Sequence, residues 1–339
     1  MPKRPATIAD IAKSLGVSMA TVSRALNGST LISEKTRKRV VTEADRLGFT
    51  PNPIAVALKT GRTRTIGMVV PLINRNYFVE AIAGVESVIY DAGYELLIAS
   101  TGNYYEREKK VIDSLSQGKV VGVIAAVAAE TTDYQHYKDL IAKGVPVVMF
   151  DRLMPLEGMS SVVQDDYQGA YDATRHLIEQ GCRVIYHYRG LQNVSMWNAR
   201  EKGYRHAMAD AGIKVERNWV YTALTTPEEG VKYANKLLAR NELPEGILFS
   251  GDFAAKAAME VFAANGVKMP EQVAVVGFVN EPWDKYLDPP LTSVEQFPYE
   301  IGKEAARLML KAINGDKPQK IVLDTELVIR KSSLRKSTE

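Results

Sequence analysis

The sequence predicts a multidomain α and α/β protein, a small all-helical head followed by a larger two-lobed α/β body built on parallel sheets. Three observations carry this. Charge is unevenly spread: residues 1–65 hold twelve Lys/Arg against four Asp/Glu, and the rest of the 339-residue chain has a net charge of −5. Short segments with apolar residues at helical spacing fill the first fifty positions. After Thr65, continuous apolar strands alternate with helices, and that run occurs twice. Such strands need helices on both faces of the sheet, as in parallel α/β structure.

The length accommodates two or three domains with proper cores. A basic head on a mildly acidic body points to a polyanion as the partner of the head; a solvated basic face is the competing reading. Cys182 is the one cysteine, so no intrachain disulfide is possible and a reducing compartment is allowed. No apolar run approaches the ~18 residues of a membrane span, and "MPKRPATIAD" lacks the apolar core of a signal peptide. The expected location is the cytoplasm, with no membrane partner.

In the head, "TIADIAKSLG" places Ile8, Ile11, Ala12 and Leu15 on one helix face, with Thr7 and Asp10 in a capping-box pattern. Gly16-Val17 breaks this helix. Ser18 caps a second, "SMATVSRALNG", whose Val22, Ala25 and Leu26 repeat the spacing. Two short helices joined by a Gly-containing turn form a helix-turn-helix pattern. A third helix follows Ser33, with Ile32, Val40, Val41, Ala44 and Leu47 available to close the core.

These residues, with "ISEKTRKRV" and "LGFTPNPIAVALKTGRT", make residues 6–64 resemble the DNA-binding head of the lac repressor (LacI/GalR) family without a break. The resemblance implies that the start of the second helix enters the major groove, carrying Met19 and Ala20, with Arg24 one turn later. Arg24 suits a bidentate bond to guanine, whereas Met19 and Ala20 offer apolar contact only. A phosphate contact is the competing reading for Arg24. "KTRKR" reads as phosphate-contacting or solvated.

"NPIAVALKTGRTRT" is a helix start after Pro53 that is too short to be stable alone, below the ~12–15 residues an isolated helix needs. In the resembling family it is a hinge helix, ordered by the dimer partner and the minor groove. Leu58 then matches an apolar wedge between base steps, while Asn52 and Lys59 approach the backbone. The resemblance also implies a homodimer on a pseudo-palindromic operator.

The body begins with strand "TIGMVVP" and a helix from about Phe78 to Ala92. Strand "YELLIA", helix "YEREKKVIDSLSQ" and strands "VGVIAAV" and "VPVVMFD" follow. From Asp166 the alternation repeats, through helix "YDATRHLIEQG", strand "RVIYHY", a helix around Arg200 to Ala211 and strand "WVYTAL". Helix "PEEGVKYANKLLAR", strand "GILFS", helix "AAKAAMEVFAANG" and strand "VAVVGF" complete it. "LTSVEQ" and the helix "PYEIGKEAARLMLKAI" are expected to cross back to the first lobe, as in the periplasmic-binding-protein-like modules that this half resembles. The expected division is a helix-turn-helix domain over 1–51, a hinge and linker over 52–64 and an effector-binding and dimerisation domain over 65–339. Within the last, the N-lobe takes about 65–164 plus 295–325 and the C-lobe about 165–294 plus 326–335.

Ligands of open α/β sheets bind beyond the carboxyl ends of the strands. Between two lobes those ends share a cleft. The resemblance implies effector positions at Arg75, Tyr77, Phe78, Asp151, Arg152, Arg200, Thr225, Gly251, Val279 and Gln296. Asp252 lies beside them, Trp197 and Trp283 are on cleft loops as candidates for stacking on a sugar, and Asn198 and Asn280 are candidate replacement acceptors. Three positions depart from the family: Val279 stands where aspartate is usual, Gly251 where asparagine is, and Arg75 where many relatives have asparagine. With acceptors lost and Arg75, Arg152 and Arg200 present, an anionic or acid-bearing effector such as a uronate or sugar phosphate is expected.

Asp165-Asp166 reads as a favourable pair at a helix start, and Cys182 as a small buried apolar residue. The four histidines lack metal-ligand spacing, so no metal and no cofactor are expected. No phosphate-loop, dinucleotide, zinc-protease or serine-hydrolase motif is present. The expectation is thus a repressor controlled by a sugar-like effector and not an enzyme. The alternatives are a helix-turn-helix protein with a sugar-metabolising domain and a regulator that responds to a purine or nucleoside.

Overall fold

A computed structural model of the chain describes residues 6–26, 28–49, 63–118, 120–154, 156–191, 195–240 and 243–335. It divides into two compact units, 1–63 and 64–339. The hinge segment, with Asn52, Leu58 and Lys59, lies outside the described residues.

The head has three helices, α1 (Ile8–Leu15), α2 (Met19–Leu26) and α3 (Glu34–Leu47). Each start is capped by a hydroxyl. Thr7 accepts from the Asp10 amide while the Asp10 carboxylate accepts from the Thr7 amide at 2.9 Å. Ser18 accepts from Thr21 at 3.0 Å and Ser33 from Thr36 at 3.3 Å. Helix α1 ends at Gly16 and α3 at Gly48, both at a φ of 65° that glycine adopts without a Cβ clash. Ile11, Ala12, Val22, Ala25, Val40 and Ala44 form the core. Burying a side chain of Val or Ile size contributes about 1.5–3 kcal/mol, so three such residues and three alanines make a small core. Val41, expected in it, is instead exposed, because Val40 and Ala44 already occupy the inward face of α3.

The body holds two six-stranded sheets. The first runs β11-β5-β4-β3-β1-β2, with β1 (Thr65–Val70), β2 (Glu95–Ser100), β3 (Gly122–Ala125), β4 (Val147–Phe150), β5 (Ser160–Gln164) and β11 (Lys320–Leu323). All its pairings are parallel. The second runs β12-β10-β9-β8-β6-β7, with β6 (Ile185–Arg189), β7 (Val220–Thr222), β8 (Gly246–Phe249), β9 (Ala274–Val279), β10 (Thr292–Glu295) and β12 (Glu326–Val328). Only β12 is antiparallel there. The connecting helices are α4 (Asn76–Ile89), α5 (Tyr105–Gln117), α6 (Gln135–Ala142), α7 (Asp166–Glu179), α8 (Ser195–Asp210), α9 (Pro227–Arg240), α10 (Asp252–Ala264) and α11 (Pro298–Ile313). Central strands β3, β4 and β8 are buried along their whole length, as their unbroken apolar runs require.

The chain passes between the sheets three times: after β5, after β10 and after β11. One expectation is corrected here. "LTSVEQ" does not cross back, since Thr292–Glu295 pairs with β9 in the second sheet and the crossing begins at Gln296. Four elements went unread in the sequence. β5 has two apolar residues, β11 and β12 are short edge strands, and α6 is eight residues long.

Helices α4 and α11 cover one face of the first sheet, and glycines bring their backbones together. A Cβ on Gly84 would lie 2.0 Å from the Tyr299 carbonyl oxygen, and one on Gly302 would lie 2.1 Å from that of Ala81. At the outer edge, β2 leaves Leu97 and Ile98 exposed.

Candidate functional site

The carboxyl ends of both sheets border a cavity of about 760 Å³. Arg75, Tyr77, Phe78, Asp151, Arg152 and Gln296 line it, as do Trp197, Arg200, Thr225, Gly251, Asp252 and Val279. Trp283 is not on the wall; it packs edge-to-face on Phe253 at 5.4 Å. Two residues expected at the cavity are also elsewhere. Asn198 is exposed, its Oδ1 taken by Arg189. Asn280 turns away, donating to Glu295 at 2.7 Å and accepting from Arg330 at 2.7 Å. The reason lies in the backbone: Val279 has a φ of 127° and Asn280 of 58°, which redirect the chain as β9 ends.

The three cleft arginines are not equivalent. Arg200 is 1 % exposed, lies 3.6 Å over the Phe278 ring and donates to the Ser250 carbonyl at 2.9 Å. Its Nε donates to Asp166 at 2.8 Å, and a second nitrogen stands 2.7 Å from the same carboxylate. Asp166 is therefore more than a helix-start residue; it neutralises Arg200 from behind the wall. Burial pushes its carboxyl up to about 6, against the pull of Arg200. The helix start itself is capped by Asp165, which accepts from Gln168.

Arg152 donates to Asn103 at 2.7 Å and to the Val127 carbonyl at 3.3 Å, and lies 3.6 Å from Asp151. Both Asp151 and Asn103 hold left-handed backbone, with φ of 59° and 69°. Arg75 differs. It sits ahead of the first residue of α4 with its guanidinium 3.9 Å above the Phe253 ring, and its side chain makes no hydrogen bond or ion pair with a described residue. This stack joins a residue that follows the first sheet's β1 to one that follows the second sheet's β8.

Tyr77 donates to Gln164 at 3.2 Å, and Phe78 meets the Tyr77 and Phe150 rings edge-on. Trp197 lies flat because Gly190 leaves it room; a Cβ there would come within 2.3 Å of the indole. Asp252 is consumed by the protein, accepting from Ser293 at 2.9 Å and the Glu281 amide at 3.2 Å. Burial and the neighbouring Asp252 drive the Asp284 carboxyl far above its usual range.

The cavity wall also includes Glu281, Phe253, Glu130 and Asn103, which were not singled out in the sequence. Glu281 and Phe253 each adjoin a residue that was. Among the described residues no three His, Cys, Asp or Glu side chains converge as metal ligands, and no helix is long and apolar enough to cross a membrane.

In the head, Met19, Ala20 and Arg24 are exposed on α2, opposite buried Val22 and Ala25. The Arg24 side chain has no described partner. Within "KTRKR", Arg37 is diverted inward to the Ser29 carbonyl at 3.2 Å, and Lys38 pairs with Glu34.

Comparison with known proteins places both units. The profile of bacterial regulatory proteins of the lacI family matches residues 7–52, and that of the periplasmic binding protein-like domain matches 174–333. The HTH-type transcriptional regulator DegA of Bacillus subtilis is 35% identical over 330 residues, covering 96% of this chain and 98% of its own. The HTH-type transcriptional repressor PurR of Photobacterium profundum is 34% identical over 332 residues, with the same coverage. Among solved structures, the transcriptional regulator CelR in complex with cellobiose is 30% identical with a TM-score of 0.74, over 97% of this chain and 100% of that one. The lac repressor dimer bound to operator and an anti-inducer has a TM-score of 0.85 at 22% identity, over 98% of this chain and 100% of that one, a likeness of fold.

Proposed function

Because this chain belongs to the lacI family of bacterial regulatory proteins, it is a DNA-binding transcriptional repressor and not an enzyme, and we propose that an acid-bearing, sugar-like effector between its lobes sets its hold on a pseudo-palindromic operator. The observation that carries the effector class is Arg75, a cleft guanidinium whose N–H groups have no described partner. A guanidinium fork in a half-buried site suits a carboxylate or phosphate. Arg152 and Arg200 do not strengthen this reading, since each already faces an aspartate. Phe78, Trp197 and Phe253 supply apolar faces for the carbon skeleton of a sugar. Cellobiose in the CelR complex favours the carbohydrate class.

DNA readout falls to Met19, Ala20 and Arg24 on α2, with Asn52, Leu58 and Lys59 of the hinge segment in the minor groove or on its backbone. The active species is a homodimer, whose two heads match the two half-sites. Effector binding shifts operator affinity only as far as the two lobe arrangements differ in effector affinity, and operator shifts effector affinity by the same factor. The three crossings between the sheets are where the lobes pivot.

The aromatic walls favour one second reading, a purine or nucleoside held flat against Trp197. Thermal shifts of the full chain with galacturonate, glucose 6-phosphate, glucose and hypoxanthine separate the two. A rise with the acidic sugars, followed by altered operator binding, is expected. A rise with glucose alone or hypoxanthine alone would overturn the acidic-sugar reading.

A further inference from the structure

Glu281 stands on the cavity wall, 5 % exposed, and its carboxylate accepts no hydrogen bond from a described residue. Two features put it there. The left-handed backbone at Val279 and Asn280 turns Asn280 away into its bonds with Glu295 and Arg330. The Glu281 amide is then anchored on Asp252 at 3.2 Å. The acid missing at Val279 is thereby supplied two residues later, from a different angle.

A carboxyl that faces a cavity without a protein donor is left for water or a ligand to complete. Its charged neighbours are Asp252 on the same lobe, which repels it, and Arg75 across the cleft, which attracts it. A lone anion at this place would meet repulsion from Glu281, and a lone cation repulsion from Arg75. The pair accommodates a ligand that brings an anion to one and a hydrogen-bond donor to the other.

We propose that Arg75 and Glu281 form one subsite for the hydroxy-acid end of the effector, with the carboxylate forked by Arg75 and a hydroxyl one or two carbons away bonded to Glu281. This deepens the acid-bearing-effector reading and rests on it. Burial and Asp252 push the Glu281 carboxyl up to about 7. A group near half-protonation at neutral pH suits a hydroxyl, which both donates and accepts, better than an ammonium. Glu281 is thus a specificity residue: it separates hydroxy acids from plain acids, while Arg75 separates acids from neutral sugars.

The test is titration calorimetry on the full chain and on its Glu281→Gln and Arg75→Gln variants. The probes are galacturonate, gluconate, hydroxyl-free glutarate, glucose and glucosamine, and melting temperatures without ligand verify folding. The wild-type protein is expected to bind galacturonate or gluconate at least tenfold more tightly than glutarate or glucose. Glu281→Gln, which removes a buried charge beside Asp252, is expected to fold normally. It should lose about tenfold in hydroxy-acid affinity, the scale of a hydrogen bond to a charged group, while glutarate, relieved of repulsion, binds no more weakly than to wild type. Arg75→Gln should weaken both kinds of acid. Undiminished hydroxy-acid binding by Glu281→Gln overturns the subsite while leaving the acidic effector standing. Failure of every acid to bind wild-type protein overturns both, and preferential binding of glucosamine overturns the assignment of Glu281 to a hydroxyl.

Discussion

Arg200 is among the largest side chains the fold buries completely, and Asp166 is the carboxylate in direct contact with it. Consider Asp166→Ala, Arg200→Met and the double variant. Stranding one member of a buried ion pair costs about 3–5 kcal/mol. Asp166→Ala leaves a guanidinium that cannot shed its proton, with the Ser250 carbonyl, the Phe278 and Trp197 rings and the more distant charge of Asp151 for company. The full cost is expected. Arg200→Met leaves a carboxyl already raised to about 6 with Arg200 in place. Without Arg200 it rises further and takes up a proton at pH 7. At about 1.4 kcal/mol per pKa unit, that protonation limits the electrostatic loss to about 1–2 kcal/mol. The double variant strands neither charge and should be more stable than Asp166→Ala alone.

Urea unfolding followed by tryptophan fluorescence is suited to this, because Trp197, Trp219 and Trp283 all lie in the body. The pH dependence has a definite sign. A carboxyl raised from 3.8 to about 6 contributes stability that is complete below about pH 4 and fades as pH rises through 6. With the pKa higher still in Arg200→Met, the gap between that variant and wild type should narrow as pH falls towards 6 and level off below it. Equal losses for the two single variants, or a double variant whose loss equals their sum, would refute the reasoning.

Other perturbations test separate parts of the molecule. Gly84→Ala should destabilise the body by about 1–3 kcal/mol, because its Cβ would lie 2.0 Å from a backbone oxygen that cannot rotate aside. The ~1 kcal/mol helix-propensity gain of alanine is too small to compensate, and thermal unfolding reads the balance. Arg24→Ala should cost about 1–3 kcal/mol of operator discrimination in fluorescence anisotropy against scrambled DNA. If Arg24 contacts only phosphate, specific and scrambled DNA would weaken equally. Leu58→Ala should weaken operator binding far more than effector binding; an unchanged operator affinity would remove Leu58 from the groove.

Much of the molecule is legible in its sequence, and the reasons are local. The caps Thr7, Ser18 and Ser33 and the stops Gly16 and Gly48 act within one helical turn, so short-range pattern is enough to find them. Fully buried strands such as "VGVIAAV" and "VPVVMFD" announce themselves by continuous apolar runs. The twofold alternation and the charge of the head follow from composition along the chain. What the sequence left open depended on contacts between distant segments. Whether Arg200 is free to meet a ligand depends on Asp166, thirty-four positions away, folding against it. The exclusion of Asn280 and the arrival of Glu281 at the cavity depend on two left-handed residues ending β9 and on anchors at Asp252, Glu295 and Arg330. Strand β10 reads like its neighbours, and only hydrogen bonding to β9 assigns it to the second sheet. The sequence determined which residues could form helices, strands and a basic head, because those depend on near neighbours. Tertiary structure decided which charges are spent on the protein and which face the cleft, because burial and pairing are properties of the assembled chain.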